Sequence, residues 1–203
     1  MARLLLVRHG DVESDTPGRY WGHSDIPLSA EGIRQAGKIR ERLATEKIVA
    51  IYSSDLRRAL NTATIIAIPH QVPVVPCPEL REINFGHFEG MTFEEIKRWR
   101  PEAEGLWWGT DPNVGFPDGE SLWALAQRID CFVERLSNHD LTDTVLVVAH
   151  GGSLRMLVCR MIGLDLSHWW QLRIDHASLS VLDSYPGGAV ISLLNEVCHL
   201  KAS

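Results

Sequence analysis

The chain has 203 residues, 45% of them hydrophobic and 23% charged, a composition that buries a core without covalent staples. Its net charge of −6 excludes the basic surface that nucleic acid or an anionic membrane needs, so any positive charge used on an anion must be gathered locally. The four cysteines, Cys77, Cys131, Cys159 and Cys198, stand far apart with no CxxC pair, which predicts reduced, mostly core thiols and no metal-ligand spacing.

Leu4–Val7 is a continuous apolar run, the pattern of a parallel strand covered on both faces, and Arg8, His9, Gly10 and Asp11 follow it with no spacer. Residues 10–28 are rich in Gly, Pro and Asp without a period, and a loop of that length inside a compact domain is usually functional. Ser29 is the predicted N-cap of a helix over Ala30–Ala44, with Ile33, Ala36, Ile39 and Leu43 on its inner stripe. Ile48–Tyr52 is the second strand. Ser53-Ser54-Asp55 is expected to cap a helix reaching about Ala67, and Val72–Val75 is the third strand.

Thr92 and Glu95 have capping-box spacing and start a short helix, whereas residues 100–118 are Trp-, Gly- and Pro-rich and predict an irregular excursion. Ser121–Leu136 is a longer helix with Leu122, Leu125, Ile129, Phe132 and Leu136 inward. Val145–Ala149 is the fourth strand, followed by His150, Gly151, Gly152 and a helix over about Ser153–Ile162. Leu179–Leu182 and Val190–Leu194, separated by Pro186-Gly187-Gly188, form a hairpin. The alternation predicts an α/β fold: a three-layer α/β/α sandwich, mostly parallel, with a C-terminal hairpin. We expect one domain over residues 1–203, with 85–118 as an excursion over the active-site edge. There is no basic leader and no apolar run long enough to span a membrane, so a cytoplasmic location is expected.

Ligands of open α/β sheets bind outside the carboxyl ends of the strands, where this chain delivers His9, His150 and the Arg57-Arg58 pair. A lone histidine there is more often structural; two, each followed by glycine and joined by arginines, point to an anion site. Adjacent helical residues point about 100° apart, so only one of Arg57 and Arg58 can face it. Among the carboxylates, Glu79, Glu82 and Glu89 rank equally on the sequence alone.

Arg8-His9-Gly10, His150-Gly151 and the stretch SSDLRRALNTA (53–63) resemble the histidine phosphatase superfamily, also called phosphoglycerate-mutase-like. The resemblance extends over GRYWGHSDIPLSAEGIRQA (18–36), LREINFGHFEGMTFEEI (80–96), FPDGES (116–121), VLVVAHGGSLRML (145–157) and LNEVCHL (194–200), nearly the whole chain in order. It implies phosphoryl transfer through a phosphohistidine formed on His9, with Arg8, Arg58 and Gly151 holding the phosphate, His150 as a further donor, and Glu82 as acid and base. Arg57 is then a surface residue. Six residues after the nucleophile the family commonly carries Asn where this chain has Asp15; Asp15 and Gly22 are the implied substrate contacts, with either the loop shifted or Asp15 turned to an arginine or a substrate hydroxyl. No cofactor and no metal are implied.

Within the superfamily the segments look most like the α-ribazole phosphatases of cobalamin biosynthesis, which makes a small phosphomonoester such as α-ribazole 5′-phosphate the expected substrate. A sugar phosphatase or phosphoglycerate mutase is the rival enzyme, and a non-catalytic phosphate-binding module the rival of another class. The tryptophan pairs 107–108 and 169–170, with Trp21 and Trp123, offer stacking surfaces or simple packing. The implied partner is the small-molecule substrate, with no nucleic acid or membrane, and a homodimer is one of the open arrangements.

Overall fold

The computed structural model describes residues 2–108 and 111–201; the side chain of Trp108, one of the tryptophans named above, lies outside the described set. The strands are β1 (Arg3–Arg8), β2 (Ile48–Ser53), β3 (Val74–Pro76), β4 (Thr144–Ala149), β5 (Leu179–Tyr185) and β6 (Gly188–Glu196). They form one sheet in the order β3-β2-β4-β1-β5-β6. The first four are parallel; β5 runs antiparallel to β1, and β6 to β5.

The apolar run of β1 is explained by two covered faces. Leu4 and Leu6 enter one core with Val145, Val147 and Ala149, while Leu5 and Val7 enter the other with Leu146 and Val148. On that second face lie α1 (Ala30–Leu43) and α2 (Arg57–Ala67), through Ile39, Leu43, Ala59, Ala63 and Ile66. Two short helices follow in the chain, α3 (Phe93–Trp99) and α4 (Glu104–Trp108). The first face is covered by α5 (Leu122–Leu136) and α6 (Gly151–Ile162), and α7 (Cys198–Lys201) ends the described chain. Among the described residues no helix is long and apolar enough to cross a membrane.

Several expectations are corrected. Ile33 is 55% exposed, and Gly32 takes the inner position instead. A Cβ on Gly32 would stand 2.0 Å from the Asp11 carbonyl oxygen, so this turn of α1 packs backbone to backbone on the chain leaving β1. Ser53-Ser54-Asp55 does not cap α2. Its first N–H, on Arg57, donates to Asp25 Oδ1 at 2.7 Å, while Asp55 pairs with Arg81 at 2.6 Å. The third strand is Val74–Pro76 rather than 72–75, a short edge strand, and α6 starts at Gly151 rather than Ser153. The hairpin is longer at both ends, turning at Gly187 with φ +94°. All four cysteines are free, Cys77 and Cys159 buried and Cys131 and Cys198 exposed.

Candidate active site

The register of β1 on β4 makes the site. Arg8 pairs with Ala149, and the His9 N–H donates to the Ala149 carbonyl at 3.0 Å, so His9 and His150 leave adjacent strands side by side. Their ring centroids are 5.0 Å apart at an interplanar angle of 62°. This is the switch point of the sheet, where β1 feeds α1 to one side and β4 feeds α6 to the other.

Hydrogen bonds assign each ring a role. His9 Nδ1 lies 2.7 Å from the Gly10 carbonyl oxygen, a partner that only accepts, so Nδ1 carries the proton and Nε2 keeps its lone pair. His150 is the reverse: Arg58 Nε donates to its Nδ1 at 3.2 Å, which leaves Nε2–H as a buried donor with no partner. Arg8 Nη1 donates to the Ile174 carbonyl at 2.8 Å and Nη2 to His176 Nε2 at 2.9 Å, while its Nε is buried and unpartnered. Two unpartnered donors beside one free imidazole lone pair are what an incoming anion with an electrophilic centre would satisfy.

Arg58 is fully buried, held by the Ser24 carbonyl at 2.7 Å and the Gly22 carbonyl at 2.7 Å as well as by its bond to His150. It still lines the cavity. Arg57 points out to Asp25, as expected of the partner in an adjacent pair. Gly151 also lines the cavity, and a Cβ on it would stand 3.4 Å from Arg8 Cζ.

Of the three candidate carboxylates, Glu82 alone reaches the site. Its Oε2 accepts from Gly152 N at 2.9 Å, and its Oε1 from Ser153 N at 3.2 Å and Ile83 N at 2.9 Å. It therefore sits on the amino end of α6. Gly152 is required there, because a Cβ would stand 2.3 Å from Glu82 Oε1. Glu89 instead ties the long loop together through the N–H groups of Gly22, His23 and Ser24, and Glu79 pairs with Arg135 at 2.8 Å.

Two implied contacts fall elsewhere. The Asp15 side chain is 81% exposed and pairs with Arg19 at 3.2 Å, outside the cavity lining. Gly22 does not line the cavity either; its backbone holds Arg58 and Glu89 in place. Residues that the sequence reading missed are His176, Arg155 and Arg128. The His176 ring lies 5.2 Å from that of His9, tilted by 40°. It precedes β5, and the start of an antiparallel strand lies at the carboxyl edge of its parallel neighbours, which is the signal that would have found it. Arg155 is four residues after Gly151 on α6, hence on the same face. Arg128 braces the Glu82 loop by donating to the carbonyls of Glu79, Arg81 and Glu82 and to Glu120 at 2.8 Å.

The cavity measures about 860 Å³. Arg8, His9, Arg19, Arg58, Glu82, Arg155 and His176 are among its polar lining, and Tyr20, Trp21, Phe85, Phe93, Trp107 and Trp169 its aromatic lining. Trp170 lines it as well, whereas Trp123 is exposed and does not. Phe85, Phe93 and Trp107 place part of the 85–118 segment on the cavity wall; residues 109–110 of it lie outside the described set. Among the described residues no group of three His, Cys, Asp or Glu side chains is gathered as a metal site requires.

Burial, with the charges of Arg8 and Arg58, holds the His9 and His150 rings far below the usual imidazole pKa, and burial beside Arg8 takes His176 down to about 3. Burial also lowers Arg8 to about 10. The three imidazoles are thus neutral when folded but take up protons once unfolded. Their effect on stability is absent above the ordinary imidazole pKa of about 6.5 and turns destabilising as pH falls below it, by about 1 kcal/mol per ring for each pH unit. Urea unfolding at pH 7.5 and 5.5 is expected to show a markedly lower midpoint at 5.5, and equal midpoints would contradict three neutral buried rings.

The model of the histidine phosphatase superfamily (branch 1) matches residues 4–197. The chain belongs to the histidine phosphatase superfamily. Phosphoserine phosphatase 1 of Hydrogenobacter thermophilus is 36% identical over 200 residues, covering 98% of this chain and 95% of that protein. The adenosylcobalamin/alpha-ribazole phosphatase of Escherichia coli is 33% identical over 193 residues, 95% of each chain. A solved structure of mycobacterial glucosyl-3-phosphoglycerate phosphatase in complex with VO3 superposes with a TM-score of 0.88 at 29% identity, covering 96% of this chain and 99% of that one. This superfamily member is accordingly a phosphatase, a phosphomonoester hydrolase with the phosphoglycerate-mutase-like α/β fold.

Proposed function

We propose that this phosphatase hydrolyses a small phosphomonoester through a phosphohistidine formed on His9. The observation that carries the proposal is the Nδ1–H bond of His9 to the Gly10 carbonyl, which leaves Nε2 as a bare nucleophile beside the unpartnered donors of Arg8 and His150. In the first step Nε2 bonds to phosphorus, the ester P–O bond breaks, and protonated Glu82 gives its proton to the leaving oxygen. In the second, water attacks the phosphohistidine, its proton passes to the Glu82 carboxylate, and phosphate leaves with His9 restored. Arg8, Arg58 and the His150 donor balance the charge on the non-bridging oxygens, the electrostatic task that dominates phosphoryl transfer.

The aromatic lining of the cavity bears on the leaving group. α-Ribazole 5′-phosphate is the finer expectation, supported by the 33% identical E. coli relative and by walls suited to a flat ring. A second reading, an acidic leaving group of the kind the name of the 36% identical phosphoserine phosphatase carries, is favoured by Arg155, a cationic side chain in the cavity lining.

Rapid quenching of the enzyme during turnover of a labelled phosphomonoester tests the chemistry. Label is expected on His9, stable in alkali and released by acid. Full turnover with no label on any histidine would contradict the phosphohistidine step.

A further inference from the structure

The C-terminal stretch LNEVCHL (194–200) takes no part in the chemistry above and lines none of the cavity, yet its side chains reach back to the catalytic edge of the sheet. Asn195, on β6, accepts the Asp175 N–H on Oδ1 at 2.7 Å and donates through Nδ2 to the Asp175 carboxylate at 3.0 Å. His199, on α7, has a side chain only 6% exposed. Its Nε2 lies 3.0 Å from the Ala177 carbonyl oxygen, which only accepts, so Nε2 donates. Glu196 Oε2, 3.2 Å from Nδ1, sets the rotation of the ring. Between these two anchors, at Asp175 and Ala177, stands His176.

The same segment is gripped on its other side by the phosphate end of the site. Arg8 donates through Nη1 to the Ile174 carbonyl at 2.8 Å and through Nη2 to His176 Nε2 at 2.9 Å. The Ala177 N–H donates to the carbonyls of both Arg8 and His9, each at 3.1 Å. A guanidinium is planar, so two fixed Nη bonds dictate where its remaining donor points. That donor is the buried, unpartnered Nε of Arg8, and Ile174 and His176 therefore set its aim.

Ala177 shows that the segment is held in place. Its φ is +51°, in the left-handed region where a Cβ is crowded, and Asn195 at +56° is of a type that tolerates that region. A strained backbone of this kind persists only where its surroundings over-determine it. Ala177 is held by one bond on each side, its N–H on the end of β1 and its C=O on His199.

We infer that Asn195 and His199 are positioning residues: the C-terminal segment clamps residues 174–177 against β1 and so aims the Arg8 guanidinium at the phosphoryl group. What Arg8 binds rests on the phosphatase reading above. A role confined to the C-terminus would cost stability alone, whereas a clamp acts through Arg8 and its effect disappears with that side chain.

The test is the dissociation constant of inorganic phosphate, read by calorimetry in a double-mutant cycle, with circular dichroism to establish that each variant is folded. His199→Ala is expected to weaken phosphate about tenfold, part of the worth of a hydrogen bond to a charged group. His199→Gln, whose amide can still donate to the Ala177 carbonyl, recovers part of that loss. In an Arg8→Met background His199→Ala brings no further loss. Asn195→Asp keeps the acceptor for the Asp175 N–H but sets carboxylate against carboxylate, and it is expected to weaken phosphate as His199→Ala does. This second variant keeps the question answerable should His199→Ala not fold. Unchanged phosphate affinity in either folded variant overturns the inference. So does His199→Gln recovering nothing, or an equal loss in the Arg8→Met background, which would mean that the C-terminal segment acts on a group other than Arg8. Turnover of p-nitrophenyl phosphate keeps the two readings apart. An unmodified enzyme that binds phosphate but turns over none of the ester sinks the phosphatase chemistry and leaves the clamp to the phosphate cycle, while brisk turnover with additive losses sinks the clamp alone.

Discussion

Replacing His9 with alanine is expected to lower kcat/KM for every phosphomonoester at least about 10³-fold, the scale on which a covalent nucleophile acts. No neighbouring imidazole can stand in. The Nδ1 lone pair of His150 is taken by Arg58, and its Nε2 carries a proton. The Nε2 lone pair of His176 is taken by Arg8. Each ring is thus held in a tautomer that suits its place and disqualifies it as a substitute. The fold should survive, since His9 lies at the open edge of the sheet and the β1–β4 pairing is made by backbone groups. Steady-state assays with p-nitrophenyl phosphate, alongside circular dichroism of the variant, check this. Residual activity within tenfold of the unmodified enzyme would mean that another group attacks phosphorus.

Glu82→Gln is expected to produce the second-largest effect, a fall in kcat of about 10²–10⁴ on alkyl phosphates, the range of general acid–base catalysis. The amide has the shape of the carboxyl and keeps one oxygen for the Ser153 and Ile83 N–H groups. It cannot deliver or receive the proton, and its NH2 meets the Gly152 N–H that Oε2 now accepts. The diagnostic is the leaving group. Nitrophenolate departs without protonation, so p-nitrophenyl phosphate should lose far less in the first step than glycerol 3-phosphate does. Equal losses of kcat/KM, which reads the first step alone, would show that Glu82 protonates no leaving group. Arg128 should follow Glu82 in part, because it holds the carbonyls of the loop that carries the carboxyl.

Much of this molecule is written locally in its chain. The runs Leu4–Val7 and Val145–Ala149 are apolar at every position, and a strand with two covered faces is the arrangement that buries both alternating sets. The inward stripe of α5 and the capping box of Thr92 with Glu95 follow from helical period and cap chemistry alone. His9, His150 and Arg58 were legible for the same reason: each sits at the end of an element whose limits its own neighbours define, and such ends face one edge of the sheet.

What the tertiary structure decided lies in segments without a period. Glu79, Glu82 and Glu89 occupy one loop and share one chemistry, and only long-range partners separate them: Arg135 takes the first, the amino end of α6 the second, and the loop at Gly22–Ser24 the third. Asp15 was drawn out to Arg19, and the cap of α2 came from Asp25, 32 residues away in sequence, in place of the adjacent serines. His176 and Arg155 entered the cavity through the antiparallel pairing of β5 with β1 and the start of α6 at Gly151. Hydrogen bonds and ion pairs between distant residues form only after loops close, and a closed loop's shape depends on the whole chain around it. The sequence by itself determined the layers, the sheet edge and the two histidines that stand at it, since burial and periodicity act within one element. Which carboxylate reaches the site, and which side chains line its far wall, were left to packing between elements.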